Sequence, residues 1–276
     1  MLTIQATVNQ IKAQIENAIL TGGVQAKNNL IRTQGPISLL HDAVKAAFIG
    51  EGVNPSLIAP QYGTHAGEMK LAGLFKSKDQ DICIMPNNHF PQQEIINTEG
   101  ILKGTTDPYG KIFTEHILSV NVRSQLSSIV KNFDTLYERT FAESLNLHLR
   151  CPEMVLGEVY LIPVYEYDDQ LAKTNQIGFK PNNDISRHIE KYISAFNAVN
   201  GRNTIVGAEY KYERVCLLIV DLSKPVPKIY DTDAELRADN LLPANSSASL
   251  RGLDFPNFAR DILRIYEHRF GAGRFT

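Results

Sequence analysis

Two long apolar runs, at residues 154–165 (MVLGEVYLIPVY) and 214–222 (RVCLLIVDL), most constrain how this chain can fold. A strand with one face in water alternates apolar and polar residues, whereas a continuous run of Val, Leu and Ile predicts a strand covered on both faces. Strands of this kind need helices on each side of their sheet. The chain is therefore predicted to be an α/β protein with a central mixed β-sheet flanked by helices.

The rest of the pattern predicts the flanking elements. Helices are predicted at about 3–20, 36–49, 65–75, 125–146, 184–199 and 256–268, the first ended by Gly22-Gly23 and the fifth capped by Asp184. Further strands are predicted at 81–85 and 112–124, and irregular surface excursions at 87–111 and 224–254. Because no segment has the composition of a linker, we expect a single domain over 1–276, with a helical part (1–75), an α/β core (about 60–222) and a C-terminal excursion and helix (223–276).

Composition and missing motifs exclude several classes of protein. No apolar stretch approaches the roughly 20 residues of a membrane span, and the N-terminus lacks the features of a secretory signal. Three scattered cysteines without a CxxC pair argue against a disulfide framework or a zinc site, so a cytoplasmic protein is expected. The motifs GxxxxGK(S/T), GxGxxG, GxSxG and HExxH are absent, so no nucleotide cofactor is expected.

Three acids in the segment GEMKLAGLFKSKDQDICIM could hold a cation. Glu68 lies on the predicted third helix, and Asp79 and Asp81 lie at the mouth of the apolar strand 81–85. Mg²⁺ prefers carboxylate oxygens on rigid elements, so this arrangement suits a magnesium site. The alternative is that Asp79 and Asp81 cap a turn and that Glu68 is a solvated helix charge.

The segment LSVNVRSQ places polar residues on one face of a strand. Because side chains alternate along a strand, Ser119, Asn121, Arg123 and Gln125 share a face opposite Leu118, Val120 and Val122. Dry burial of four such groups is costly, so we expect them to face a cleft, a partner or water. The alternative is a solvated edge strand.

The helix predicted after this strand begins with hydroxyl groups close to Arg123. Helix N-termini bind phosphate, so Ser127, Ser128 and the nearby Lys131 predict a phosphate site. The alternative is an ordinary amphipathic helix, on which Glu138 and Glu143 either reach a metal or face solvent. The formal net charge of −2 does not itself indicate nucleic acid, although acids elsewhere can cancel a basic cleft.

Together these elements resemble the PD-(D/E)xK nuclease superfamily, and within it the type II restriction endonucleases. The resemblance covers about residues 60–165 and lies in GEMKLAGLFKSKDQDI and SVNVRSQLSSIVKNFDTLYERTFAE. It implies a restriction-endonuclease-like fold, in which Asp81 is the metal-binding aspartate and Glu68 an additional metal-binding acid.

The (D/E)xK pair of the family would fall on Asn121 and Arg123, which is a departure. Asn is a neutral and weaker metal ligand, and Arg cannot give up a proton to act as a base, although it can stabilise a charged phosphate. The missing carboxylate is then expected from another acid, and the candidates are Glu115, Glu138, Glu143 and Glu158.

The resemblance implies Mg²⁺-dependent hydrolysis of phosphodiester bonds in double-stranded DNA by a homodimer. The implied catalytic residues are Glu68, Asp81, Asn121 and Arg123, and the implied DNA-binding residues are Arg123, Ser124, Gln125, Ser127 and Lys131. Two alternatives remain: a sequence-specific DNA-binding protein of the same fold that does not cleave, and an α/β binding domain with no nucleic-acid role.

Overall fold

The computed structural model describes residues 1–181 and 185–276, which form an α/β structure around a six-stranded mixed sheet. Its strands are β1 (Ile58–Ala59), β2 (Met69–Ala72), β3 (Ser77–Gln80), β4 (Ile82–Ile84), β5 (Glu94–Ile95), β6 (Thr106–Asp107), β7 (Leu118–Ser124), β8 (Val155–Pro163), β9 (Arg214–Asp221) and β10 (Lys228–Tyr230). Its helices are α1 (Ile4–Arg32), α2 (Gln34–Gly50), α3 (Lys111–Glu115), α4 (Ile129–His148), α5 (Asp169–Ala172), α6 (Ile185–Val199), α7 (Asp233–Ala238) and α8 (Phe255–Phe270).

The main sheet has the strand order β1-β4-β7-β8-β9-β10. The three central strands β7, β8 and β9 run parallel, and the outer strands pair antiparallel. Every residue of β8 and β9 is buried, as their continuous apolar sequence predicted. The predicted mixed sheet with helices on both sides is therefore confirmed.

Helices cover the sheet on both faces and form two apolar cores. On one face α1, α2 and α8 pack against side chains such as Val120, Val159 and Leu218. On the other face α4 and α6 pack against Tyr160 and Leu217. Neighbouring residues of one strand thus enter different cores, as the alternation of side chains along a strand requires.

The helix predicted at 65–75 is wrong, because this segment forms the hairpin of β2 and β3. Met69 and Leu71 are buried while Lys70 between them is exposed, which is the period of a strand rather than of a helix. Glu68 therefore precedes a strand and is not a helix acid.

Several element boundaries also differ from the prediction. Helix α1 does not end at Gly22-Gly23 but continues to Arg32, with a kink at Gly23, where φ is 63°. Residues 111–115 form α3 before β7, and α4 begins at Ile129 rather than near residue 125. The two excursions contain the β5–β6 pair and the elements β10 and α7. The predicted cap Asp184 lies outside the described residues.

Over the described ranges, no helix combines the length and the apolarity that crossing a membrane requires.

A buried ionic network ties the start of β8 to the C-terminal helix. The carboxylate of Glu213 accepts hydrogen bonds from Arg202 (Nη1, 3.0 Å), Arg269 (Nη1, 3.0 Å) and the backbone N–H of Leu156 (2.8 Å), and His148 Nε2 lies 3.5 Å away. Burial acts to raise the pKa of Glu213, but His148, Arg269 and the Leu156 N–H together lower it below its ordinary value. The folded protein therefore favours the ionised acid.

We expect Glu213→Gln to lower the free energy of unfolding by about 3–5 kcal/mol at neutral pH, because it leaves buried cations uncompensated. An acid whose pKa is lowered by folding contributes its full share of the folding free energy above its unfolded pKa, which is about 4.3 for Glu. This contribution is lost as the pH falls through the pKa of the folded state. In urea unfolding, the difference in the free energy of unfolding between the variant and wild type should therefore become smaller below about pH 4. The exposed Glu153→Gln serves as control, and a difference that does not change with pH would contradict the prediction.

Candidate active site

Two adjoining cavities open beside β7. The larger, about 710 Å³, lies between β7, α4, the β2–β3 hairpin and the junction of α1 and α2, and we call it the cation cleft. The smaller, about 110 Å³, lies between α2 and the start of β4, and we call it the acid pocket. Ile37 and Val122 line both cavities, so the two lie side by side.

The two cavities exist because β4 is short. It pairs with β7 only from Leu118 to Val120, so the second half of β7 has no ladder partner on that side. Asp81, the residue before β4, fills this place: its Oδ2 accepts a hydrogen bond from the backbone N–H of Val122 at 2.7 Å. The backbone of one strand thereby fixes the acid that precedes the neighbouring strand.

Asp81 and Glu68 face each other in the acid pocket. The pKa of Glu68 is raised, first by partial burial and then by the negative charges of Asp81 and Asp79. The negative charges that raise the pKa of Glu68 would be offset by a cation bound beside it. This is where the sequence analysis placed a metal.

Two histidines, which the sequence analysis missed, complete the acid pocket. His41 on α2 is largely buried, its Nε2 has no hydrogen-bond partner among the described residues, and burial lowers its pKa although Asp81 acts to raise it. His65 lies near the mouth, with Nε2 3.8 Å from Asp42 Oδ2. In the sequence, His41 could have been noticed as a histidine on the apolar face of a predicted helix. Its role depends on which residues pack against that face, and the sequence does not show this.

A buried lysine holds the chain that leads to Glu68. Lys45 on α2 is fully buried, and its Nζ donates hydrogen bonds to the carbonyl oxygens of Gln61 (3.2 Å) and Thr64 (2.8 Å). Residues 61–64 are thereby tied to α2, which brings His65 and Glu68 to the acid pocket.

The cation cleft concentrates positive charge. Among the described residues that line it, Lys76, Lys78, Arg123 and Arg139 are cationic and Glu143 is the one acid. Glu143, on α4, forms ion pairs with both Lys78 and Arg123. At least two positive charges therefore stay uncompensated within the cleft, although the chain as a whole is slightly acidic.

An asparagine on α4 holds the hairpin that carries the two lysines. The side chain of Asn146 accepts hydrogen bonds from the backbone N–H groups of Phe75 (2.8 Å) and Lys76 (3.1 Å) and donates one to the carbonyl oxygen of Lys76 (3.0 Å). The turn of the β2–β3 hairpin is thus fixed to α4 through backbone atoms.

The polar face of β7 is mostly covered rather than open. Ser119 is buried and donates to Gln80 Oε1 at 3.0 Å, and Asn121 is buried beside Glu158 of β8. Gln125 is buried as well, where it accepts hydrogen bonds from the hydroxyl groups of Tyr160 and Tyr192. The structure therefore brings Arg123 and Ser124 to the cleft, but not Asn121 or Gln125, because β7 is an interior strand that α4 and α6 cover.

The start of α4 is not open to phosphate. Its first backbone N–H, that of Ile129, donates to Glu166 Oε1 at 2.7 Å, so a carboxylate already occupies the helix N-terminus. Ser127 and Lys131 lie near this end, outside the described lining of both cavities. The predicted phosphate site at Ser127, Ser128 and Lys131 therefore lies outside the cation cleft, and a carboxylate binds its first helical N–H.

Of the four acids proposed to replace the missing carboxylate, two lie away from the site and two contact Arg123. Glu115 accepts a hydrogen bond from the backbone of Glu153 (3.1 Å), and Glu138 is exposed outside the lining of both cavities. Glu143 and Glu158 both contact Arg123, the latter with Oε1 3.3 Å from Nη1. The acids that reach the site are thus engaged with a cation.

Asp81 and Glu68 fit a magnesium ion as a minimal protein ligand set. Mg²⁺ in proteins is commonly held by one or two carboxylates and completes its shell with water and substrate phosphate. Across residues 1–181 and 185–276, no group of three or more His, Cys, Asp or Glu side chains could hold a metal ion. An ion held by the carboxylate pair would therefore depend on water or substrate for its remaining ligands.

Comparisons with protein-family models, with curated proteins and with solved structures found no match. The function is therefore inferred from the residues of the site.

We expect Asp81→Asn to lower the pKa of Glu68 towards its ordinary value, because the substitution removes a neighbouring negative charge. A ¹³C NMR titration of the Glu68 carboxyl measures the change. Asp134→Asn, on the exposed surface of α4, is the matched control. An identical Glu68 titration in Asp81→Asn and in wild type would show that the two acids do not share a pocket.

Proposed function

We propose that this chain is a magnesium-dependent endonuclease of the type II restriction class, which hydrolyses phosphodiester bonds in double-stranded DNA. One observation carries the proposal: a pocket lined by two carboxylates, those of Asp81 and Glu68, lies next to a cleft lined by four cations. Phosphodiester hydrolysis needs both features, because a divalent ion activates the reaction and cations hold the polyanionic substrate.

The cleft cations differ in their suitability for two tasks. Lys76 and Arg139 are exposed, and contacts from such groups to backbone phosphates give affinity without sequence information. Arg123 and Lys78 are anchored by Glu143, so their positions are better defined. Fixed cations suit the phosphate at which the reaction takes place, because charge develops there in the transition state.

The residues of the acid pocket would hold the ion. When bound, Mg²⁺ supplies a Lewis acid for the phosphate and lowers the pKa of water. Asp81 keeps its orientation through the hydrogen bond from Val122, which leaves Oδ1 for the pocket. In the reaction a water oxygen bonds to phosphorus while one P–O ester bond breaks, and the departing oxygen gains a proton. Arg123 and Lys78 offset the negative charge that builds on the phosphate oxygens.

The order of elements supports the restriction-type assignment. An acid at the start of β4, the polar strand β7, helix α4 and the apolar strand β8 follow one another as the resemblance implies. Asn121, at the position of the family's second acid, is buried and does not line the acid pocket, so in this proposal Glu68 supplies the second carboxylate.

Digestion of a long DNA in the presence of Mg²⁺ tests the proposal. Discrete fragments would establish both cleavage and sequence specificity. DNA that is shifted in a salt-dependent manner but not cut would indicate a DNA-binding protein of the same fold. DNA that is neither shifted nor cut would leave a binding domain with no nucleic-acid role and overturn the proposal.

We expect Asp81→Asn to abolish Mg²⁺-dependent cleavage while DNA binding stays nearly intact, because the cation cleft is unchanged. Cleavage rates and a gel-shift titration measure the two effects separately. Asp134→Asn again serves as control. Undiminished cleavage by Asp81→Asn would remove Asp81 from the metal site.

We expect Arg123→Ala to lower the cleavage rate by a factor of about 10² or more, as for the loss of an electrostatic contact in the transition state. Arg123→Lys should recover part of the rate, since the charge remains but the planar fork is lost. Steady-state kinetics measure both variants beside Arg251→Ala, which removes an exposed arginine far along the chain. A rate for Arg123→Ala within about twofold of wild type would mean that β7 is not the active-site strand.

We also expect the active form to be a homodimer, since two-fold symmetry lets one chain act on both strands of a palindromic site. Sedimentation velocity with and without DNA measures the state. Monomers under both conditions would contradict the expectation.

A further inference from the structure

Glu158 is a charged residue at the centre of the main sheet. It lies in the middle of β8, opposite Asn121 on β7 and Val215 on β9, and its side chain is fully buried. An acid in such a place is costly unless it is paired and hydrogen-bonded. An apolar residue would continue the pattern of β8, so the acid requires an explanation.

The surroundings of Glu158 do not satisfy it. In the described part of the chain, both of its carboxyl oxygens and both polar atoms of the Asn121 side chain lack hydrogen-bond partners. Buried polar groups nearly always have partners, and exceptions call for a functional or a solvent-related explanation. Glu158 of this pair contacts Arg123, which lines the cation cleft.

The contact that Glu158 does make is with Arg123. Its Oε1 lies 3.3 Å from Arg123 Nη1, which also donates to Thr140 Oγ1 at 2.8 Å, and Arg123 Nη2 pairs with Glu143. An arginine has five N–H donors. These contacts engage the two Nη atoms, so the Nε–H edge is left for the cleft that Arg123 lines.

We propose that Glu158 is a positioning residue, which holds the guanidinium of Arg123 from beneath so that its remaining N–H groups face a phosphate in the cleft. This inference rests on the proposed function in naming phosphate as the anion. It does not require Glu158 to touch the substrate.

The protonation of Glu158 supports this role. Burial raises the pKa of Glu158 to about 8, against the lowering effects of Arg123 and Lys78 and with further raising by Glu143 and Asp81. The acid is therefore protonated at neutral pH, and it orients Arg123 without cancelling its charge. Above about pH 8 it ionises and offsets that charge.

Other titratable groups face Glu158 from every packed element. They are Arg123 on β7, Glu143 on α4, Lys78 on β3, Asp81 before β4, Tyr160 on β8 and Tyr212 before β9. The pKa values of Tyr160 and Tyr212 are raised, chiefly by burial, so neither tyrosine ionises where Glu158 does. The isosteric Glu158→Gln isolates the contribution of Glu158 itself.

The first test is the pH profile of kcat/KM for DNA cleavage across the region around pH 8. For wild type we expect a fall of about tenfold as Glu158 ionises, because a charge-assisted contact to phosphate weakens. For Glu158→Gln we expect no such fall. Glu153→Gln, the same substitution at an exposed acid, should retain the wild-type profile. An alkaline fall in Glu158→Gln equal to that of wild type would overturn the inference.

The second test does not depend on activity. In ¹⁵N NMR spectra of the wild-type protein, the Nε–H resonance of Arg123 should shift with a midpoint near pH 8, and this transition should be missing in Glu158→Gln. If wild type cuts no DNA, the proposed function fails, and this titration still decides the role of Glu158. An Arg123 resonance that shows no transition near pH 8 in wild type would overturn it.

Discussion

The register between β4, β7 and β8 determines where each side chain of the site lies. Because β4 pairs with only the first half of β7, the N–H of Val122 is free to bind the Asp81 carboxylate instead of a strand. On its other edge β7 pairs with β8 along its whole length, which places Asn121 beside Glu158. A one-residue slip in either pairing would turn Arg123 towards the opposite core and dismantle the cleft.

Two buried acids, Glu158 in β8 and Glu213 directly before β9, differ in how their carboxyl groups are satisfied. Glu213 receives hydrogen bonds from two arginines and a backbone N–H, and its pKa is lowered. Glu158 has one cation at 3.3 Å and unsatisfied oxygens, and its pKa is raised. The first network binds elements together and contributes stability. The second costs stability and lies beside the cleft. Buried polar groups without partners are expected at functional sites more than elsewhere in a protein.

The architecture followed from the sequence because continuous apolar runs can only be interior strands, as 154–165 and 214–222 are. The position of Asp81 directly before a buried strand was also predicted, because an acid next to an apolar run can be recognised from the sequence alone. The rest of the site depends on tertiary packing. Alternation predicts that Asn121, Arg123 and Gln125 share a face, but not that α4 and α6 cover it. His41 and Lys45 acquire meaning only where α2 meets the chain before Glu68. The helix predicted at 65–75 failed because two alternating apolar residues, Met69 and Leu71, are too few to fix a period.

The way in which Asn146 holds the β2–β3 turn bears on how the cleft can evolve. Its side chain bonds to backbone atoms of Phe75 and Lys76 and to neither of their side chains. Residues 75 and 76 can therefore mutate with little loss of anchorage, so selection can explore new cleft surfaces at low risk to folding. Asn146 itself has less latitude, because its side chain makes three of the hydrogen bonds that hold the turn, beside those from Leu74 N–H to the Asn146 carbonyl and from Arg150 to the Ala72 carbonyl. The surface of the cleft could therefore vary at the turn while the anchor on α4 stays the same.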